Sequence, residues 1–278
     1  MAKVGVVIVT YNNADMLRSL LVELANQTLK PNEIIVIDNA SDDNTKEIVN
    51  GMSGLARYAR LESNMGSAGG YCEGVKVACE NNDLIWLLDD DVSVKADALE
   101  MLLKWQDYIR LGAIRSCAGQ LPGSLPIRTK GFAWRGTMIS RELINDIGLP
   151  RQEYFLYAED VEYSMRMNKH GYVIFWAPKS IVIERRSTDK IKFSVGGIKG
   201  IIYEDAFRIY YAHRNQVNVY LEYRDYYNLA MVFAYAMKAI LLFGFCGRSK
   251  YKGQIRAVFR GIWDGLRGNL GRNNDFLP

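Results

Sequence analysis

Cysteine is scarce and scattered in this chain. Cys72, Cys79, Cys117 and Cys246 are the only four among 278 residues, with no CxxC pair and no metal-like spacing. That excludes a disulfide framework or a cysteine metal site and predicts reduced thiols. Histidine is scarcer, with two residues. His170, just before Gly171, reads as a helix end. His213 lies in an expected helix beside Arg214, whose guanidinium is either a diphosphate contact or part of a surface face. The start of the chain lacks the long apolar stretch and small-residue cleavage site of a signal peptide, which predicts a cytoplasmic protein. A strong excess of one charge is also missing. The formal net charge is +4, and from Arg248 onward the basic residues cluster, including Lys250, Lys252, Arg256, Arg260, Arg267 and Arg272. A basic tail on a near-neutral body suits an anionic membrane surface and argues against nucleic-acid readout.

What is present is apolar content, 49% of residues, ample for a large core. Strand-like and helix-like segments alternate through the first hundred residues. Strands are expected over 4–9, 33–37, 55–61 and 84–88. Helices are expected over 13–27, where Met16, Leu17, Leu20, Leu21 and Leu24 have helical spacing, and over 41–49 and 71–81. This alternation, without internal repeat or low-complexity linker, predicts an α/β fold with a parallel sheet flanked by helices.

The expected strand ends carry the polar signals. The run Leu84-Ile85-Trp86-Leu87-Leu88 is followed by Asp89, Asp90 and Asp91, at the edge where open α/β sheets bind ligands. Adjacent carboxylates repel, and an oxygen-only set suits Mg²⁺ or Mn²⁺. The alternative is a solvated turn, with Asp91 capping a helix that starts near Lys95. Thr10-Tyr11-Asn12-Asn13, Asp38 to Asp43, and Asn64 to Gly70 follow the other strands. A nucleotide explains the set. Tyr11 can stack on a base, Asp38 can accept from a pyrimidine N–H or a ribose hydroxyl, and the glycines let backbone approach a bulky ligand. Helix capping by Ser41 or Asp42 and a plain tight turn at the glycines are the competing explanations.

The stretches VVIVTYNN, IIVIDNASDD, NMGSAGG, LLDDD, FLYAEDVEYSMR and YYAHRN, in this order across roughly residues 3 to 220, resemble the family 2 glycosyltransferases. They look most like the branch of bacterial rhamnosyl- and galactofuranosyltransferases that build cell-surface polysaccharide. The resemblance implies a Rossmann-like GT-A nucleotide-sugar fold over residues 1–222, with a C-terminal helical extension over 223–278. It implies that Thr10, Tyr11 and Asp38 hold the nucleoside and that Asn64, Gly66, Gly69 and Gly70 lie near the donor. Asp89 and Asp91 would meet the metal directly or through water, Asp89 and Asp90 would lie by the donor, and Asp160 would be the general base. Trp134, Arg135 and Glu159 would face the acceptor. Where the family commonly has a metal-binding histidine, this chain has Glu184, a carboxylate suited to a hard cation or a partner of Arg185 or Arg186.

The chemistry can be rebuilt without the family. A nucleoside diphosphate leaves poorly until its charge is neutralised, which a divalent ion held by acidic residues achieves. An acceptor hydroxyl needs a carboxylate to take its proton. Displacement in one step inverts the anomeric centre. The expected enzyme is an inverting, metal-dependent hexosyltransferase, and the resemblance implies UDP-galactofuranose as the favoured donor with dTDP-rhamnose next. Its expected acceptor is a hydroxyl of a growing, lipid-linked cell-surface glycan. A sugar nucleotidyltransferase is the first rival, but the Tyr-Asn-Asn turn is not its glycine- and arginine-rich phosphate loop. A non-catalytic nucleotide-sugar-binding protein is the second, and Asp160 beside the acidic triplet argues against it.

From Tyr226 to Gly247 the chain is nearly all apolar, with Lys238 at the middle, where a charge disfavours a membrane span. A basic amphipathic segment follows, in which Arg256, Arg260 and Arg267 accompany Val258, Phe259, Ile262, Trp263 and Leu266. Two helices peripheral on the inner face of the cell membrane are expected. An ordinary helical subdomain or a homo-oligomer interface is the alternative.

Overall fold

The computed structural model describes residues 2–52, 54–119, 121, 123–185, 190–195, 198–203, 205–245 and 251–277. Arg186, Cys246, Gly247, Arg248 and Lys250 lie outside the described residues. The expected alternation is present. It runs β1 Val4–Thr10, α1 Ala14–Ala25, β2 Glu33–Asp38, α2 Thr45–Gly51, β3 Arg57–Arg60, α3 Gly66–Ala78 and β4 Leu84–Asp89. Next come β5 Val92–Val94, α4 Ala98–Leu103, α5 Gln106–Ile109, β6 Gly112–Cys117, β7 Ile127–Thr129, β8 Thr137–Ser140, α6 Arg141–Ile147, α7 Glu159–Lys169 and β9 Val173–Glu184.

Among the described residues these strands form one mixed sheet in the order β3-β2-β1-β4-β8-β6-β9-β5, with β7 also on β9. β3, β2, β1 and β4 are parallel, whereas β8 runs antiparallel to both β4 and β6. The parallel strands are apolar on both faces because both are covered. Val6 and Ile8 meet leucines of α1 together with α2 and α4, while Val7 and Ile35 meet α3, α6 and α7.

The helix expected over 71–81 begins earlier, at Gly66. Its glycines are not a loop around a ligand. A Cβ on Gly70 would stand 2.4 Å from Val9 Cγ1, and one on Gly69 2.5 Å from Met65 Cβ. Gly70 therefore lets α3 lie close against β1. Asp91 caps no helix, since β5 follows it and α4 starts only at Ala98. His170 falls just past α7, before Gly171 with φ 87°, as a helix end should.

The chain divides into two compact units, Met1–Gln152 with Asp160–Arg186, and Glu153–Glu159 with Ser187–Pro278. This division does not follow the boundary expected after residue 222. The second unit holds the hairpin β10 Lys190–Val195 and β11 Ile198–Tyr203, and three helices, α8 Ala206–Glu222, α9 Tyr226–Phe245 and α10 Lys252–Arg267. Phe155 packs in its core with Tyr210, Tyr211, Ala236, Leu242 and Val258. The segment 153–159 is held there by α8. Asn215 Nδ2 lies 2.9, 2.7 and 2.7 Å from the carbonyls of Tyr154, Leu156 and Tyr157, and Arg214 Nη2 donates to Tyr154 O at 2.9 Å. Phe155, Tyr157 and Ala158 take φ values of 63°, 68° and 62°, a left-handed run that needs such external support. Arg214 is thus a fully buried brace, neither a surface residue nor a diphosphate ligand. His213 is also buried, its Nδ1 at 2.8 Å from Ile209 O.

α9 is long and apolar enough to cross a membrane, with mean hydropathy 1.5 over Tyr226–Gly244. It turns Val232, Ala236, Ala239 and Leu242 inward and leaves Met231, Phe233, Met237 and Leu241 exposed. On α10, Val258 is buried in the core and Ile262 packs against it, so neither belongs to the outer apolar face; Phe259, Trp263 and Leu266 do.

Candidate active site

Four strand ends bring the polar residues to one edge of the first unit. β1 ends in Thr10, which is buried, and Tyr11 follows with 38% of its surface exposed, free to offer a ring face. Asn12, at φ 50°, fastens this turn to the next. Its N–H donates to Ser41 Oγ at 2.9 Å, and its Oδ1 accepts from Asp42 N at 2.8 Å. Asp38, at the end of β2, is wholly buried. Its Oδ1 accepts from Ser41 N at 2.8 Å, and its Oδ2 accepts from the Tyr58 hydroxyl and from Arg60 Nη1 at 2.9 Å. Asp38 is thus paired with Arg60 and is not a free carboxylate. Asn64 Oδ1 accepts from Gly66 N at 2.8 Å and starts α3, whose Gly69 and Gly70 are absorbed in packing.

The acidic triplet ends β4 in three environments. Asp89 accepts from the Tyr71 hydroxyl; burial pushes its carboxyl above the usual range, Asp160 and Glu184 add to that, and Tyr71 and Arg135 oppose it. Asp90 accepts from Asn13 Nδ2 at 2.8 Å and is pushed up to about 7 by burial, against the hydrogen bonds of Thr10 and Asn13. Asp91 rises to about 6 through burial first, then the charges of Asp89 and Glu184. Glu184 arrives by backbone pairing, because Val92 of β5 sits opposite it on β9 and Arg185 N donates to Asp91 O at 2.7 Å. Its partner is Arg135, with Nη1 to Oε2 at 3.2 Å, while Arg185 is bound to Glu23. Gly136 sets the place of Arg135. With φ 79°, it donates its N–H to Leu87 O at 2.8 Å, and a Cβ there would stand 2.9 Å from Ser116 Cβ.

Asp160 occupies the first turn of α7, where backbone N–H groups favour a carboxylate; Val161 N donates to its Oδ1 at 2.8 Å. Burial nevertheless raises it to about 6, against the charges of Arg115 and Arg135. A carboxylate poised there can take a proton at neutral pH. Two acceptor-side expectations need correction. Trp134 is 4% exposed, its ring centroid 5.2 Å from Tyr71 and 5.4 Å from Tyr163. It is core rather than cleft wall, although its indole N–H has no partner among the described residues. Glu159, at 5% exposure, is likewise buried.

Residues 5–119 match the family described as glycosyl transferase family 2. Over that stretch the chain resembles a family 2 glycosyltransferase domain. It is 24% identical over 243 residues to the galactofuranosyltransferase GlfT1 of Mycolicibacterium smegmatis, covering 76% of this chain and 80% of that protein. It is 21% identical over 207 residues to the O-antigen chain rhamnosyltransferase RfbN of Salmonella typhimurium, covering 65% of each. In structure it is similar to the mannosyltransferase PcManGT of Pyrobaculum calidifontis, solved with GDP-Man and Mn²⁺, with a TM-score of 0.62 and 16% identity over 95% of this chain and 87% of that one. Its mixed α/β sheet is that of GT-A glycosyltransferases.

The acidic residues of this edge fit a divalent cation. Asp89, Asp91 and Glu184 offer oxygen only, and Asp89 and Asp91 are raised partly by one another or by Glu184, a repulsion that a hard cation relieves. They are not gathered into a preformed cluster, since no group of three metal-ligating side chains is assembled among the described residues. Glu184, shared with Arg135, is the weakest member of the set. Sequence reasoning missed Arg115, on the central strand β6. A lone arginine among small residues has no periodicity to mark it. The fold pairs it with Trp176 across β6 and β9, and its charge acts on Asp160, 45 residues away in sequence.

Proposed function

We propose that the chain transfers a sugar from a nucleoside diphosphate to an acceptor hydroxyl in one inverting displacement, with Asp160 as general base. The observation that carries this is the carboxyl of Asp160, poised at about 6 at the start of α7 and within electrostatic reach of Asp89. In this reading Tyr11 stacks on the base, and the Asp38–Arg60 pair meets the polar edge of the nucleoside. Asp89 and Asp91 hold a divalent cation, Mn²⁺ or Mg²⁺, with Glu184 in support. Bound there, the cation supplies charge neutralisation for the departing diphosphate. Arg135 lies by the same carboxylates and contributes positive charge on that side. Asp160 then accepts the proton of the hydroxyl as it attacks the anomeric carbon from the opposite face.

UDP-galactofuranose is the first donor to test and dTDP-rhamnose the second, a choice supported by the relatives named above. The acceptor we infer is a glycan under construction on a lipid at the inner membrane face. The exposed Phe259, Trp263 and Leu266 of α10, with Arg256 and Arg267 beside them, support that location. The decisive experiment is a donor panel of UDP- and dTDP-sugars with Mn²⁺, run on the parent and on Asp160→Asn. Transfer should fall by about 10²-fold or more while donor affinity stays within about twofold. Turnover of Asp160→Asn within a few-fold of the parent would refute the assignment.

A further inference from the structure

Arg115 has no part in the transfer chemistry above. It lies inside the sheet, on β6 between β8 and β9, opposite Thr137 and Trp176. Its guanidinium carbon sits over the Trp176 ring, 3.9 Å from the centroid. Its Nε is sealed from solvent with no hydrogen-bond partner among the described residues. No carboxylate forms an ion pair with it among those residues, whereas Arg135 has Glu184. Burial lowers its pKa to about 10, and Arg135 adds to that. A guanidinium presents five donors in a rigid fork matched to phosphate and carboxylate. Leaving its Nε desolvated and unpaired in a sheet is costly, and such costs concentrate where a ligand offsets them.

The side of the cleft follows from which groups feel which arginine. Arg135 acts on Asp89 and Asp91, the diphosphate end. Asp160, at the end where the hydroxyl must arrive, feels both arginines, and it is the carboxylate on which Arg115 acts. Arg115 remains partly exposed, so a ligand can reach it. We propose that Arg115 anchors an anion subsite beside Asp160, which binds a phosphate or carboxylate carried by the acceptor close to its attacking hydroxyl. The word acceptor rests on the transferase reading; the anion subsite itself does not. The preferred substrates are then charged glycans, and a neutral acceptor of the same stereochemistry is a poor one.

The test uses the full chain saturated with UDP and Mn²⁺, so that the donor phosphate site is filled, and titrates inorganic phosphate or acetate by calorimetry. The parent should bind at least one of the two; phosphate alone points to a phosphorylated acceptor, acetate to a carboxylated one. Arg115→Met keeps the stem over Trp176 and removes the fork, and should weaken that binding by about tenfold or more. Its UDP affinity should stay within about twofold. Arg115→Lys, which keeps the charge, should fall between the two and serves if the methionine variant does not fold. A parent that binds neither anion, or variants with parental anion affinity, would overturn the proposal. So would a tenfold loss of UDP binding, which would make Arg115 a donor ligand. Failure of UDP to bind the parent at all would strike the transferase reading instead.

Discussion

The titration of Asp160 is the sharpest consequence of the site, because the same shift governs both rate and stability. Its carboxyl stands at about 6 instead of 3.8, raised by burial and held down by Val161 N–H, Arg115 and Arg135. As a base it must be ionised. At pH 7 about nine tenths of it is carboxylate and at pH 5 about one tenth, so kcat/KM should fall about tenfold between them. The sign for stability is the reverse of the rate effect. A carboxyl raised in the folded state binds its proton more tightly there than in the unfolded chain. Its folded form is therefore favoured below pH 3.8 and progressively penalised as pH rises through about 6. The penalty near neutrality is of order 2–3 kcal/mol. Asp160→Asn removes it, so the inactive variant should melt several degrees higher than the parent at pH 7 and show little difference at pH 4. The assay pairs a pH–rate profile at subsaturating donor and acceptor with melting curves at the two pH values. Asp90 and Asp91 titrate in the same window, at about 7 and about 6. A parallel profile of UDP affinity separates their effect from that of the base. A flat rate profile from pH 5 to 7, or an asparagine variant that melts lower than the parent at pH 7, would refute the reasoning.

Three further outcomes are expected. Glu184→Ala should raise the Mn²⁺ concentration needed for half-maximal UDP binding, and Glu184→His should recover part of it; an unchanged metal titration for Glu184→Ala would leave Glu184 as a partner of Arg135 alone. Gly70→Val places side-chain carbon 2.4 Å from Val9 Cγ1 and should destabilise the first unit by about 1–3 kcal/mol or more in urea titration, whereas a parental midpoint would mean α3 is not held against β1. Replacing Phe259, Trp263 and Leu266 together by serine should lower co-flotation with vesicles of anionic lipid without lowering UDP affinity; equal flotation would remove the membrane role of α10.

The first half of the fold was legible because its strands and helices announce themselves by period, and Leu84 to Asp91 by the abrupt change from apolar to acidic. The start of α3 was not. Gly66 to Gly70 read as a turn because glycine disfavours helix, yet contact with Val9 overrides that preference. β5, three residues long, was hidden behind the acidic triplet and exists only by pairing with β9. Trp134 read as a ligand platform because its aromatic neighbours, Tyr71 and Tyr163, are remote in sequence. Arg214 offered two surface roles, and its burial depends on Tyr154 and Gly271, some sixty residues away on either side. Tyr11, Asp89 and Asp91 stand at strand ends that the local pattern of apolar and polar residues marks, whereas packing depends on partners remote in sequence.

The brace on segment 153–159 has a consequence for the order of events during synthesis. The backbone that leads into Asp160 takes its left-handed conformations against Arg214 and Asn215, which leave the ribosome more than fifty residues later. Until α8 has emerged, the segment 153–159 lacks the Arg214 and Asn215 donors that hold its carbonyls. The left-handed residues before Asp160 are therefore fixed late, after most of the chain has been made.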